Sequence, residues 1–217
     1  MKALIFDMDG LMIDSERLYI DAQHEIAAKF DKKLKEETRL KMMGKKPLES
    51  IRLFTGELEI PLDAEEVLEM RNRLMRDKLK NDLEAMPGLF HILDTFYNKL
   101  KLAVCTGSQG EFLDIVVDKL GIRDRFAVLQ DSDEMERGKP DPEIFLRACE
   151  KLELEPGQCV VLEDSLNGVL AGKRAGCHVI AVPSEYTKGE DFGIADYLAG
   201  DLFEAERYIN DLVTHGR

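Results

Sequence analysis

Ala3-Leu4-Ile5-Phe6 is an unbroken apolar run that stops at Asp7-Met8-Asp9-Gly10. A run this short, closed by a glycine turn, reads as a strand buried on both faces, as strands of a parallel sheet are. In open sheets of that kind chemistry gathers just beyond the carboxyl ends of the strands, where Asp7 and Asp9 fall. Alternation along an extended chain gives the two carboxylates a common direction and turns Met8 away. Anions so close repel each other unless a cation or a shared proton relieves them, so the pair points to a metal. A polar turn closing an ordinary strand has the same composition, and the choice falls to the rest of the chain.

Beyond Gly10 the chain divides in two. From Asp14-Ser15 the pattern is helical: Leu18, Ala22, Ile26 and Phe30 share one face, then come Glu36 to Met43, a break at Gly44, Pro47 to Phe54, and Ala64 to Leu79. About seventy consecutive helical residues directly after a first strand are unusual in an alternating chain, and a separate helical lid is the economical reading. Beyond Pro87-Gly88 helices and strands alternate. Strands are expected at Leu100–Cys105, Phe126–Leu129, Cys159–Leu162 and His178–Val182, with Asp141-Pro142 starting the helix of Ile144, Phe145, Ala148 and Leu152. The expected fold is α/β, a doubly wound, Rossmann-like parallel sheet with a small all-helical insertion. The core takes residues 1–13 and 84–217, and the insertion 14–83.

Composition narrows the partners. The 217 residues carry a net charge of −13, which disfavours non-specific contact with nucleic acid or an anionic membrane surface. No segment has the pattern of a signal peptide or a membrane span. The cysteines, Cys105, Cys149, Cys159 and Cys177, lie in apolar contexts without metal-ligand spacing, as small buried hydrophobes do in a reducing cytoplasm. The histidines show no ligand spacing either.

Three strands end in polar groups: Asp7 and Asp9, then Thr106-Gly107-Ser108, then Glu163-Asp164. A fourth segment, Gly138-Lys139-Pro140-Asp141-Pro142, puts a lysine in a loop stiffened by its prolines. The acidic members suit a hard divalent cation such as Mg²⁺. The Thr106 hydroxyl, the backbone N–H groups of Gly107 and Ser108, and Lys139 suit an anion. Each piece alone has an ordinary explanation as a turn, a helix cap or a solvated charge. Together, in this order and always at strand ends, they form what phosphoryl transfer requires.

On these motifs the sequence resembles the haloacid dehalogenase superfamily, whose phosphatase branch has Asp-x-Asp-Gly, a Ser/Thr, a Lys and an acidic pair in this sequence order. The resemblance spans essentially the whole chain and includes the helical cap between the first two motifs. It implies a Mg²⁺-dependent phosphomonoester hydrolase for a small phosphorylated sugar, polyol or nucleoside. Asp7 would be the nucleophile that forms an aspartyl-phosphate, and Asp9 the acid and base. Thr106, Gly107 and Lys139 would hold the phosphoryl group. The metal would lie on Asp7, the Asp9 backbone carbonyl and Asp164, with Glu163 as ligand or close support.

The cap break at Met42-Met43-Gly44-Lys45-Lys46-Pro47 resembles the cap loop of glycerol-phosphate and pseudouridine-monophosphate phosphatases, making Lys45 and Lys46 candidate substrate contacts. Two lysines at a helix–helix turn are equally what a solvated surface carries. A β-phosphoglucomutase-type mutase is the alternative enzyme, although its cap histidine, which falls where Tyr19 stands here, and its cap arginine, near Pro47, are both missing; a non-catalytic binding relative is a third reading. A cytoplasmic monomer or weak dimer is expected, with a small-molecule ester as its only partner.

Overall fold

A computed structural model describes residues 1–42, 45 and 47–215. The chain forms two compact units, one of Met1–Asp14 together with everything from Glu84 onward, the other of Ser15–Leu83. Among the described residues no helix is long and apolar enough to cross a membrane.

The first unit is a doubly wound α/β structure. Its strands are β1 (Ala3–Phe6), β2 (Lys101–Cys105), β3 (Val128–Gln130), β4 (Cys159–Glu163), β5 (His178–Ala181) and β6 (Tyr197–Leu198), and its helices are α5 (Leu89–Phe96), α6 (Gly110–Lys119), α7 (Glu143–Leu152), α8 (Leu166–Ala175) and α9 (Leu202–His215). The strands run parallel in the order β3-β2-β1-β4-β5-β6, with β1 near the middle. That position explains the unbroken apolar run: Ala3, Leu4, Ile5 and Phe6 are all fully buried. Ala3 and Ile5 join Ala103, Val161, Phe145 of α7 and Val169 of α8 in one apolar cluster.

Register places the polar groups. Phe6 lies opposite Val104 on β2 and Leu162 on β4, so Asp7, one residue on, comes level with Cys105 and Glu163. The Asp7 N–H continues the ladder to the Leu162 carbonyl at 3.0 Å, and the Thr106 N–H to that of Gln130 at 2.9 Å. The sequence reading ends β4 at Leu162, but the ladder includes Glu163, paired with Ala181. A carboxylate in a buried strand position is tolerated because partners await it there. Similarly, the sequence reading makes Asp141 the cap and Pro142 the first helical residue, but Pro142 is the cap and α7 begins at Glu143; Asp141 Oδ1 accepts the Glu143 N–H at 3.1 Å from outside the helix. β3 falls later than Phe126–Leu129, and β6 has no counterpart in the sequence reading. All four cysteines are buried and unbridged.

The second unit comprises α1 (Ser15–Lys29), α2 (Glu36–Met42), α3 (Pro47–Leu58) and α4 (Ala64–Asn81). It has a core of its own, built from Ile26, Met42, Ile51, Phe54, Leu58 and Val67 with their neighbours. A capping box closes the start of α4, where Asp63 receives the Glu66 backbone and Glu66 the Asp63 backbone.

Candidate active site

The carboxyl ends of β1, β2 and β4 and the loop before α7 converge on one cluster. Asp7, Glu163 and Asp164 each bring a carboxylate oxygen within 4.8 Å of the others, and all three residues are buried. Lys139 reaches between two of them: its Nζ donates to Asp7 Oδ1 at 2.5 Å and to Glu163 Oε1 at 2.5 Å, and to the Cys105 carbonyl at 3.3 Å. Beneath the ammonium lies the Phe145 ring, 5.1 Å from Nζ to the centroid.

Charge in this cluster is out of balance, with three carboxylates facing one ammonium. Burial, opposed by Lys139 and reinforced by Glu163, Asp164 and Asp9, pushes the Asp7 pKa well above the usual carboxylate range. Asp164 is pushed up to about 8, by burial first and then by Glu163, although a Ser184 hydrogen bond and Lys139 pull the other way. For Lys139 burial opposes the charge, but Asp7 and Glu163 outweigh it and hold its pKa above the ordinary value. A convergent set of hard oxygen donors with excess negative charge suits Mg²⁺, and the residues fit such an ion.

Glu163 is already engaged on both oxygens. Its Oε1 faces Lys139, and Oε2 accepts the Ser165 N–H at 3.1 Å and hydroxyl at 3.0 Å. These contacts hold the Glu163 carboxylate against Lys139. Its place depends on α8, whose Gly168 would put a Cβ 1.7 Å from Glu163 Oε1. Gly10 has a similar duty. It adopts a φ of +80°, and a Cβ there would fall 2.2 Å from Asp164 Oδ2. Neither the Ser165 clamp nor the space left by Gly168 is part of the sequence reading. A glycine inside a helix that directly follows an acidic strand end is the signal that could have found the second.

Asp9 stands apart from the three-carboxylate cluster by its side chain. Asp9 Oδ2 accepts the Thr106 hydroxyl at 2.9 Å and the Ser108 hydroxyl at 2.8 Å, while Thr106 Oγ1 in turn accepts the Ser108 N–H at 3.0 Å. Thr106, expected to face an anion, therefore also orients Asp9, and the Ser108 hydroxyl adds a contact beyond the backbone donor expected of it. The Gly107 N–H has no acceptor among the described residues, and a Cβ there would meet nothing within 4 Å.

The Lys139 loop is fixed from outside. Glu143 accepts the backbone N–H groups of Glu136 at 3.3 Å and Arg137 at 3.0 Å, and Arg174 donates to the Pro140 carbonyl at 2.7 Å. The two lysines of the helical unit stand differently. Lys45 is ion-paired to Glu49, 2.8 Å away and one turn along, and Lys46 lies outside the described residues.

An α/β sheet with an acidic trio and a lysine at its strand ends, interrupted by a helical insertion, defines a class before any relative is considered. The chain belongs to the haloacid dehalogenase-like hydrolase family, which it matches over residues 4–182. It is a hydrolase of the phosphatase kind. It is 36% identical over 182 residues to the phosphorylated carbohydrates phosphatase of Thermotoga maritima, a match covering 81% of this chain and 82% of that one. It is 32% identical over 212 residues to (DL)-glycerol-3-phosphatase 1, mitochondrial, of Arabidopsis thaliana, covering 93% and 70%. Among solved structures, CbbY from Rhodobacter sphaeroides in complex with phosphate superposes with a TM-score of 0.83 at 27% identity, covering 94% of this chain and 95% of that one.

Proposed function

We propose that the chain is a Mg²⁺-dependent phosphomonoesterase for a small phosphorylated metabolite, working through an aspartyl-phosphate on Asp7. The observation that carries this reading is the buried trio of Asp7, Glu163 and Asp164 bridged by Lys139, with Asp9 held beside it by two hydroxyls. The relatives named for phosphorylated carbohydrates and glycerol 3-phosphate support the substrate class.

Mg²⁺, held by Asp7 and Asp164 with the Asp9 backbone carbonyl, would neutralise phosphoryl charge as a Lewis acid. Lys139 fixes the Asp7 carboxylate and offsets its charge, so that a carboxylate can approach an anionic ester. An Asp7 oxygen bonds to phosphorus as the bond from phosphorus to the alkoxide breaks, and Asp9 gives that alkoxide its proton. Asp9, now a carboxylate, takes a proton from water. The hydroxide attacks phosphorus, the Asp7–phosphorus bond breaks, and inorganic phosphate leaves. Thr106 and Ser108 keep Asp9 aimed through both halves, and the Gly107 N–H is a donor for a phosphoryl oxygen. The protein acts on a small ester in this reading, as a monomer or weak dimer with no nucleic-acid or membrane partner.

The test combines p-nitrophenyl phosphate turnover, with and without Mg²⁺, with acid trapping of labelled phosphate on the protein. Metal-dependent release with hydroxylamine-labile label on the Asp7 peptide is the expected result. Absence of metal-dependent release, or label on another residue, overturns it. Incubation with β-glucose 1-phosphate and a bisphosphate primer separates hydrolase from mutase: phosphate release without glucose 6-phosphate is expected.

A further inference from the structure

Arg71, on α4, is only 8% exposed. Other sheltered cations have carboxylate partners: Lys139 (side chain 12% exposed) has Asp7 and Glu163, Lys78 (12%) has Glu25, and Arg39 (15%) has Glu36 and Glu16. Arg71 has none among the described residues. Its Nη2 donates to Asn72 Oδ1 at 2.8 Å, and its guanidinium carbon lies 5.3 Å from the Tyr19 ring centroid. Its Nε is buried with no acceptor. Burial holds the guanidinium pKa below its ordinary value, outweighing the opposing influence of Tyr19.

A desolvated cation without a counter-charge is costly, and buried charges in folded chains are as a rule paired. The planar fork of arginine matches the two oxygens of a carboxylate or phosphate, and an aromatic ring behind it restrains its orientation. A second unsatisfied group belongs to the same unit. Gln23 Oε1 is buried without a donor, and Gln23 lies one turn along α1 from Tyr19. The two groups are thus complementary in kind: a cationic donor lacks an acceptor, and an amide acceptor lacks a donor.

We propose that Arg71 anchors an anion-binding site in the helical unit, which takes the carboxylate or phosphate group of a small hydroxylated metabolite. Arg71 supplies the charge-assisted donors, Tyr19 backs the guanidinium, and Gln23 Oε1 accepts from a hydroxyl. Lys45, already matched by Glu49, is not needed for this role. The site stands on residues of the helical unit alone and does not depend on the chemistry assigned to Asp7.

The test uses the full chain labelled with ¹⁵N and follows the Arg71 Nε–Hε resonance, identified by its loss in Arg71→Lys. Inorganic phosphate and malonate are the probes, and neither is a phosphatase substrate. A saturable shift of this resonance is expected at an apparent Kd of about 1 mM or below. Binding should weaken about tenfold or more in Arg71→Gln, read by calorimetry with malonate. Arg71→Lys, which keeps the charge and loses the fork, should fall between. On an Asp7→Asn background, glycerol phosphate and 3-phosphoglycerate then separate the sources. A shift with 3-phosphoglycerate alone assigns the site to a second charged group of a phosphate ester, and equal shifts with inorganic phosphate assign it to a separate anion. A resonance that no probe moves, or malonate binding unchanged in Arg71→Gln while circular dichroism matches wild type, overturns the proposal.

Discussion

Two buried cations, one in each unit, are held in opposite ways. Lys139 is surrounded by more negative charge than it can neutralise, with Asp7 and Glu163 both 2.5 Å away and Asp164 in the same cluster. Arg71 has an amide oxygen and an aromatic face but no carboxylate among the described residues. Their pKa values move accordingly: upward for the lysine, downward for the arginine. A surplus of acceptors around a cation prepares a site for another cation. A surplus of donors prepares one for an anion. The two units have unsatisfied charge of opposite sign, and substitutions at each should respond oppositely.

The largest effect is expected where the surplus charge does chemistry. Asp7→Asn should lower kcat by about 10⁴-fold or more if the carboxylate is the nucleophile, while circular dichroism shows the fold retained. Turnover near wild type, with deamidation excluded by mass, would remove Asp7 from that role. Lys139→Met comes next. It leaves Asp7 and Glu163 buried with no cation, and breaking a buried pair in this way costs about 3 kcal/mol of stability, read from denaturant midpoints in chelator. Added Mg²⁺ should restore part of the loss. If metal-free Lys139→Met is as stable as the parent, the lysine does not offset these carboxylates.

Asp9→Asn is the control within the same site. Its carboxylate is bonded to Thr106 and Ser108 and not to Lys139. The expected result is a kcat loss of about a hundredfold, typical of general acid–base catalysis, with the unfolding midpoint little changed. A large stability loss here would mean that the two halves of the acidic site are not separable.

Protons sharpen the comparison further. In the metal-free chain Asp164 has a pKa pushed up to about 8, against about 3.9 for an unfolded aspartate. Between those values the folded chain binds the extra proton, so the stability gradient with pH is negative. The stabilisation is fully present below the unfolded value and fades as pH rises through the folded one. Unfolding free energy in chelator should therefore decline from about pH 4 to about pH 8, apart from the slopes of other groups. Saturating Mg²⁺, which favours the ionised form, should flatten that decline. Identical profiles with and without Mg²⁺ would contradict a metal at these carboxylates.

Much of the candidate site is legible in sequence because strand ends are marked by abrupt changes of residue type. Apolar runs stop at Asp7, Thr106 and Glu163, and parallel register does the rest. The supporting contacts were less visible because they depend on neighbours distant in sequence. Thr106 and Ser108 meet Asp9 across about a hundred residues of chain. The two-residue β6 is too short for any period to appear; Asp196 beside it bonds the Val179 N–H at 2.7 Å and pairs with Lys173. In the helical unit Lys45 and Lys46 are adjacent lysines at a glycine break, and Glu49 of α3, four residues from Lys45, is paired with the first of them. Arg71 is one of many charged residues on α4. Yet Val67, Arg71, Met75 and Leu79 recur at intervals of four and are all buried, so an arginine sat inside the apolar stripe all along.

That placement makes the smallest predicted effect the most discriminating. Replacing Lys139 strands two carboxylates, whereas replacing Arg71 strands no charge, since no carboxylate depends on it. Methionine has a similar length and suits a stripe that already contains Met75. Arg71→Met in an anion-free buffer should therefore be neutral or stabilising by up to about 1 kcal/mol, as when an uncompensated buried charge gives way to an apolar side chain. Adding malonate should reverse the ranking, because only the parent gains stability from a ligand that binds the folded state. Paired denaturant titrations, with and without malonate, measure both. Destabilisation by Arg71→Met comparable to that of Lys139→Met would mean that the arginine is held by its surroundings as firmly as the lysine, and the opposition between the two units would fail.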